Sequence, residues 1–136
     1  MGAASTESVL CKRGFRFSTG RDSLGRRYEE LAVRRLRKQG YAVLARNMRL
    51  SIGEVDILAQ DSRGIVLVEV RGRKRTEFAP ALTLSFRKKA RLKMLQKFLA
   101  AKYRESVHIE LWEVIGNPIF PVCLRKMRVR IYRVEF

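Results

Sequence analysis

Two short apolar runs, Val55 to Ala59 and Ile65 to Val70, flank the tetrad Asp61-Ser62-Arg63-Gly64, and no other feature of the chain limits its fold as tightly. Runs this short, rich in Val, Ile and Leu and broken by a turn signal, read as the two well-buried strands of a β-hairpin. Glu54, Asp56 and Glu69 lie in or beside them. A carboxylate buried among apolar residues is costly unless a cation or metal compensates it. Asp56 and Glu69 are 13 positions apart. An even-length loop therefore makes them direct cross-strand partners on one face, with Glu54 and Arg71 as the next pair. A three-residue loop, which Asp61 and Gly64 also suit as a type I turn with a Gly bulge, pairs Asp61 with Ile65 and sends the acids to opposite faces. From these residues alone the acids fit equally well as the polar positions of half-exposed strands. If they converge, they are oxygen ligands of the kind that hold a divalent metal for phosphodiester hydrolysis.

Charge narrows the partners. The 136 residues carry 30 Lys and Arg against 13 Asp and Glu, a formal charge of +17. Such a surface attracts polyanions, nucleic acid ahead of anionic membrane. No apolar run approaches a membrane span and no signal peptide opens the chain, so the expectation is a soluble, cytoplasmic protein. Cys11 and Cys123 have neither metal-ligand spacing nor a disulfide framework, and His108 sits in an apolar stretch as a packed side chain.

Residues 1–21 read as a flexible basic arm and residues 22–136 as one domain. Ser23 caps a helix running to about Gln39, with Glu29, Ala32, Val33 and Leu36 on one stripe and Gly40 as terminator. A strand follows from Tyr41 to Arg46, then the hairpin, then a basic loop through Arg75 to about Thr83. Ser85 caps a second helix to about Tyr103, for which Phe86, Ala90, Met94, Leu95, Phe98 and Leu99 form the expected buried stripe and Arg87, Lys88 and Lys89 begin a basic outer face. Strands at Val107 to Ile115 and Met127 to Val134 complete an αβββαββ order. Helices on both faces of a central mixed β-sheet account for the apolar hairpin strands, which makes the fold class α/β.

A set of motifs adds a resemblance. Gly25-x-x-Tyr28-Glu29-x-x-Ala32, Gly40-Tyr41, Arg46-Asn47-x-Arg49, Gly53-Glu54-Val55-Asp56, Val68-Glu69-Val70-Arg71-x-Arg73, and Lys88 with Leu92 resemble the YraN family of uncharacterised bacterial proteins over roughly residues 22 to 115. That family is similar to archaeal Holliday junction resolvases. The resemblance implies a restriction-endonuclease-like fold with a PD-(D/E)xK site, and with it the even hairpin register. It places Asp56 and Glu69 as metal ligands, Arg71 where the motif has Lys, and Glu29 as the helical acid. Val55 replaces the motif's Pro, Phe78-Ala79 a Phe-Gly pair, and His108-Ile109-Glu110 an Arg-Phe-Asp strand.

The expected activity is Mg- or Mn-dependent endonucleolytic hydrolysis of DNA, structured or branched. Asp56 and Glu69, assisted by Glu54 or Glu29, would hold the metal, and Arg71 would steady the transition state. Arg73, Lys74, Arg75, Arg87, Lys88 and Lys89 would grip phosphates. A guanidinium stays charged where a lysine can exchange a proton, so the alternative is a nucleic-acid-binding module with little catalysis. A junction resolvase needs two active sites, which makes a homodimer one option, but no self-complementary surface is identifiable in the sequence and the oligomeric state stays open.

Overall fold

The structure is a computed structural model, and it describes residues 23–74, 84–118 and 127–136. The basic arm, the loop of residues 75–83 with Arg75 and Phe78-Ala79, and both cysteines lie outside the described residues.

Helix α1 spans Ser23–Lys38. It ends in a Schellman arrangement: Gly40 takes φ +87° and its N–H donates to the Arg37 carbonyl at 3.1 Å, while the Tyr41 N–H donates to Leu36 at 3.0 Å. Strand β1 covers Ala42–Leu50, and Gly53–Asp61 (β2) with Gly64–Arg73 (β3) form the hairpin. Helix α2 covers Phe86–Tyr103, and Val107–Ile115 (β4) and Arg128–Val134 (β5) follow. Among the described residues the strands form one five-stranded sheet of order β1-β2-β3-β4-β5. All its pairings are antiparallel except β3 with β4, which run parallel with α2 as the connecting helix.

The hairpin register is the even one. Asp61 pairs with Gly64 and Ile57 with Val68, which leaves Ser62 and Arg63 as a two-residue loop. Asp61 fixes the turn by accepting the Arg63 N–H at 2.8 Å and the Arg63 guanidinium at 2.6 Å.

Among the described residues each face of the sheet carries one helix, as the apolar hairpin strands require. Leu31, Ala32, Val33 and Leu36 of α1 pack on Ile57, Ala59, Val66, Val68 and Trp112. On the other face Leu92, Leu95 and Leu99 of α2 pack on Leu58, Ile65, Leu67, Ile109 and Leu111. This corrects the expected stripe of α2. Phe86, Met94 and Phe98 are exposed, and only Leu95 and Leu99 of that stripe are buried. The helix bears two apolar stripes. The sheet takes the one that brings Lys88 onto Glu69 and lets the Gln96 amide donate to the Val107 carbonyl at 2.7 Å. Strand β1 also runs past the expected Arg46 limit, because Arg46 and Arg49 are paired with Glu30 and Glu54 and so need not end the strand. Among the described residues, no helix is long and apolar enough to cross a membrane.

Candidate active site

The β2–β3 ladder stops at Ile57↔Val68. Beyond it β2 stays with β1 through Met48↔Val55 and Arg49↔Glu54, and β3 stays with β4 through Glu69↔Leu111 and Arg71↔Glu113. The two strands thus part, and continuing the register by one residue sets Asp56 opposite Glu69 at the fork. Separation leaves β3 backbone donors without a β2 carbonyl, and Asp56 answers one of them: its Oδ2 accepts the Val70 N–H at 2.9 Å.

Across the fork, the charge of Glu69 acts on Asp56. Burial pushes the Asp56 carboxyl up to about 7, with Glu69's negative charge adding to the rise and Glu29's contributing less; the Val70 N–H and the Lys88 charge oppose them. Glu69 is 5% exposed, and Lys88 reaches it from α2, Nζ to Oε1, at 2.6 Å. Burial likewise raises the Glu29 carboxyl against a hydrogen bond from Asn47 and the charges of Arg46 and Arg26, and Glu69 lifts it further. Asn47 holds the left-handed φ of +49°, a conformation Asn tolerates better than most residues. A cleft of about 430 Å³ opens beside the fork, lined by Arg49, Gly53, Glu54, Asp56, Lys88 and Arg91 among others.

The remaining expected residues divide. Glu54 does not pair with Arg71 as the register alone implied, because β2 has left β3 by that point; its carboxylate is bound by Arg49 at 2.9 Å and is mostly exposed. Arg71 lies two residues beyond Glu69 on β3, half-buried, so the cation in contact with Glu69 comes from α2 instead. Arg73 is committed to the buried Glu113, Nε to Oε1, at 3.1 Å. Lys74, Arg87 and Lys89 are exposed. Glu110 belongs to a separate cluster near the hairpin turn, where it accepts from Trp112 Nε1 at 2.9 Å and Arg63 at 2.9 Å.

The sequence offered Asn47 only as part of a motif and Lys88 as a phosphate-gripping residue on the solvated face of α2, with no role assigned to Arg91 or Glu113. For Lys88 a signal exists, since it precedes Leu92 by four residues and so shares the true buried stripe.

Among the described residues, no three His, Cys, Asp or Glu side chains form a metal-binding group. Asp56 and Glu69 nevertheless offer the donor set that suits Mg, a hard cation that keeps several waters and takes one or two carboxylates from the protein. The raised Asp56 carboxyl fits this, because a site that makes ionisation costly by juxtaposing acids is one a cation relieves.

Residues 28–119 match the model of "Uncharacterised protein family UPF0102". A UPF0102 protein of Carboxydothermus hydrogenoformans is 47% identical over 74 residues, 54% of this chain and 63% of the relative. One from Caldicellulosiruptor saccharolyticus is 34% identical over 111 residues, 76% of this chain and 93% of the relative. A solved structure titled "Structure of EndoMS-dsDNA2 complex" is similar at a TM-score of 0.43 and 20% identity, covering 69% of this chain and 38% of that one.

Proposed function

We propose that this chain, which belongs to the uncharacterised protein family UPF0102, is a divalent-metal-dependent nuclease acting on structured or branched DNA. The observation that carries the reading is the convergence of Asp56 and Glu69 where β2 and β3 part, with Lys88 against Glu69. Asp56 and Glu69 would hold Mg or Mn, which when bound supplies Lewis acidity toward a phosphate oxygen. Asp56 is anchored through Val70, so its free oxygen is aimed by backbone rather than by a mobile contact. Lys88 holds Glu69 in place and stands at the cleft, where an ammonium can orient a water or a phosphate oxygen. Arg49 and Arg91 line the same cleft and would neutralise the phosphates on either side. Assignment to DNA follows the family resemblance and the +17 charge.

The test is a Mg and Mn titration with plasmid, linear duplex and four-way-junction DNA, with wild type beside Asp56→Asn. Wild type should cleave only with metal, and the variant not at all. Metal-independent cleavage, or equal cleavage by the variant, contradicts the assignment. A second reading, a binding module on the same fold, is favoured by the Lys88–Glu69 ion pair, which already compensates one of the two carboxylates. Binding of metal and DNA without cleavage selects it.

A further inference from the structure

The stripe of α2 that the sheet leaves outside is unusual. Phe86 is 86% exposed, Met94 55% and Phe98 42%, and with the exposed Ala90 they stand four residues apart in a row. The row from Phe86 to Phe98 runs about 18 Å along the helix axis. Scattered apolar residues on a surface need no explanation, but a continuous row does. Basic side chains border it on both sides, Lys89 and Lys93 along one edge and Arg87 and Arg91 along the other, and α2 contains no acidic residue.

We infer that the outer face of α2 is a binding track for single-stranded nucleic acid, with bases stacked on Phe86, Met94 and Phe98 and phosphates held by the flanking Lys and Arg. The chemistry of the face selects this occupant. Flanks of one sign require a polyanion, which excludes a second copy of this +17 chain. A duplex would satisfy the flanks and leave the phenyl rings in water, because its bases are stacked inside. A single strand offers both parts, since every unpaired base has an apolar face and sequence-independent sites combine basic grooves with stacking side chains. An anionic membrane fits less well, because the row offers only three large apolar side chains, Phe86, Met94 and Phe98, to the acyl region, while Lys97 continues the basic edge of Lys89 and Lys93. Arg91 belongs both to this border and to the cleft beside Asp56, so a strand on the track passes the mouth of the candidate site.

The inference rests on the proposed nuclease reading for its choice of ligand and deepens it, naming DNA with an unpaired segment as the substrate class. The experiment measures binding of labelled dT20 and of a 20-base-pair duplex by fluorescence anisotropy, in EDTA and at fixed salt. It compares the full chain with a Phe86→Gln, Met94→Gln, Phe98→Gln variant. Stacking on one side chain is worth about 5- to 150-fold in affinity. The variant should therefore lose at least about 10-fold for dT20 with duplex affinity unchanged. Phe98→Trp, which keeps the stacking surface, should bind dT20 like wild type, with its added fluorescence quenched. Equal losses for single strand and duplex, or no quenching of the indole introduced by Phe98→Trp, overturn the inference. So does a triple variant that binds dT20 normally but no longer binds anionic phosphatidylglycerol vesicles. Because the binding is measured in EDTA, absence of cleavage leaves this result intact and removes only the nuclease reading.

Discussion

At Asp56, burial and Glu69's charge hold the folded carboxyl near 7, against about 3.8 for a free Asp. A raised folded pKa costs nothing below pH 4, where folded and unfolded states are both protonated, and stability is lost as the pH climbs from about 4 through 7. Asp56→Asn still accepts from Val70 but cannot ionise. Its melting temperature should exceed wild type at pH 8 without metal and converge with it at pH 4. A difference of the same size at both pH values would show that the shift plays no part. Lys88 gives a second contrast. Lys88→Met strands Glu69 without its cation and should cost about 2–3 kcal/mol, near the low end for broken buried pairs because the lysine is partly exposed, whereas Arg71→Met should cost under about 0.5 kcal/mol. Equal losses in urea unfolding would mean that Arg71 compensates Glu69. The facing of Asp56 and Glu69 was legible only through the family resemblance, because Asp61 and Gly64 suit a two-residue and a three-residue loop alike and the motif set, not the turn, favoured the even register that the strands adopt. The origin of Glu69's cation was not legible, since Lys88 sits in a run of Lys and Arg that by composition belongs to solvent.

The elements show where periodicity decides and where it does not. For α1 a single apolar stripe existed, and Ala32, Val33 and Leu36 are buried on it as expected. In α2 two stripes compete at helical spacing, and the choice between them is tertiary: the Leu92, Leu95, Leu99 stripe also brings Lys88 and Gln96 to their partners. Leu92→Ala, at a position outside the expected stripe, should therefore cost about 2–5 kcal/mol, while Met94→Ala should stay within about 0.5 kcal/mol. The reverse ordering would restore the stripe expected from the sequence. Helix α1 is seated more tightly still. A methyl group added at Gly72 would overlap the ring of Tyr28, whose hydroxyl donates to the Gly116 carbonyl at 3.0 Å. Gly72→Ala should cost about 1–3 kcal/mol by overpacking, and thermal unfolding at wild-type temperature would contradict that contact.

For the molecule as a whole, apolar hairpin strands required a layer on each sheet face, and the sequence contained two helices to supply them. The fork was not legible, because it depends on which neighbour each strand keeps beyond Asp56, and that is set by β1 and β4 rather than by the hairpin. A charge of +17 should make nucleic-acid binding steeply salt-dependent. Neutralising about six phosphates implies a fall of about 10³-fold between 50 and 200 mM salt, and a flat profile would remove the polyanion reading. The central claim, that Asp56 and Glu69 form a divalent-metal site, is tested most directly by thermal unfolding at pH 8 across a Mg titration of wild type, Asp56→Asn and Glu69→Gln. A ligand bound only by the folded state at 100 times its Kd stabilises by about 2.7 kcal/mol. The wild-type melting temperature should climb with Mg while both variants stay flat; variants that climb in parallel with wild type would place the metal elsewhere.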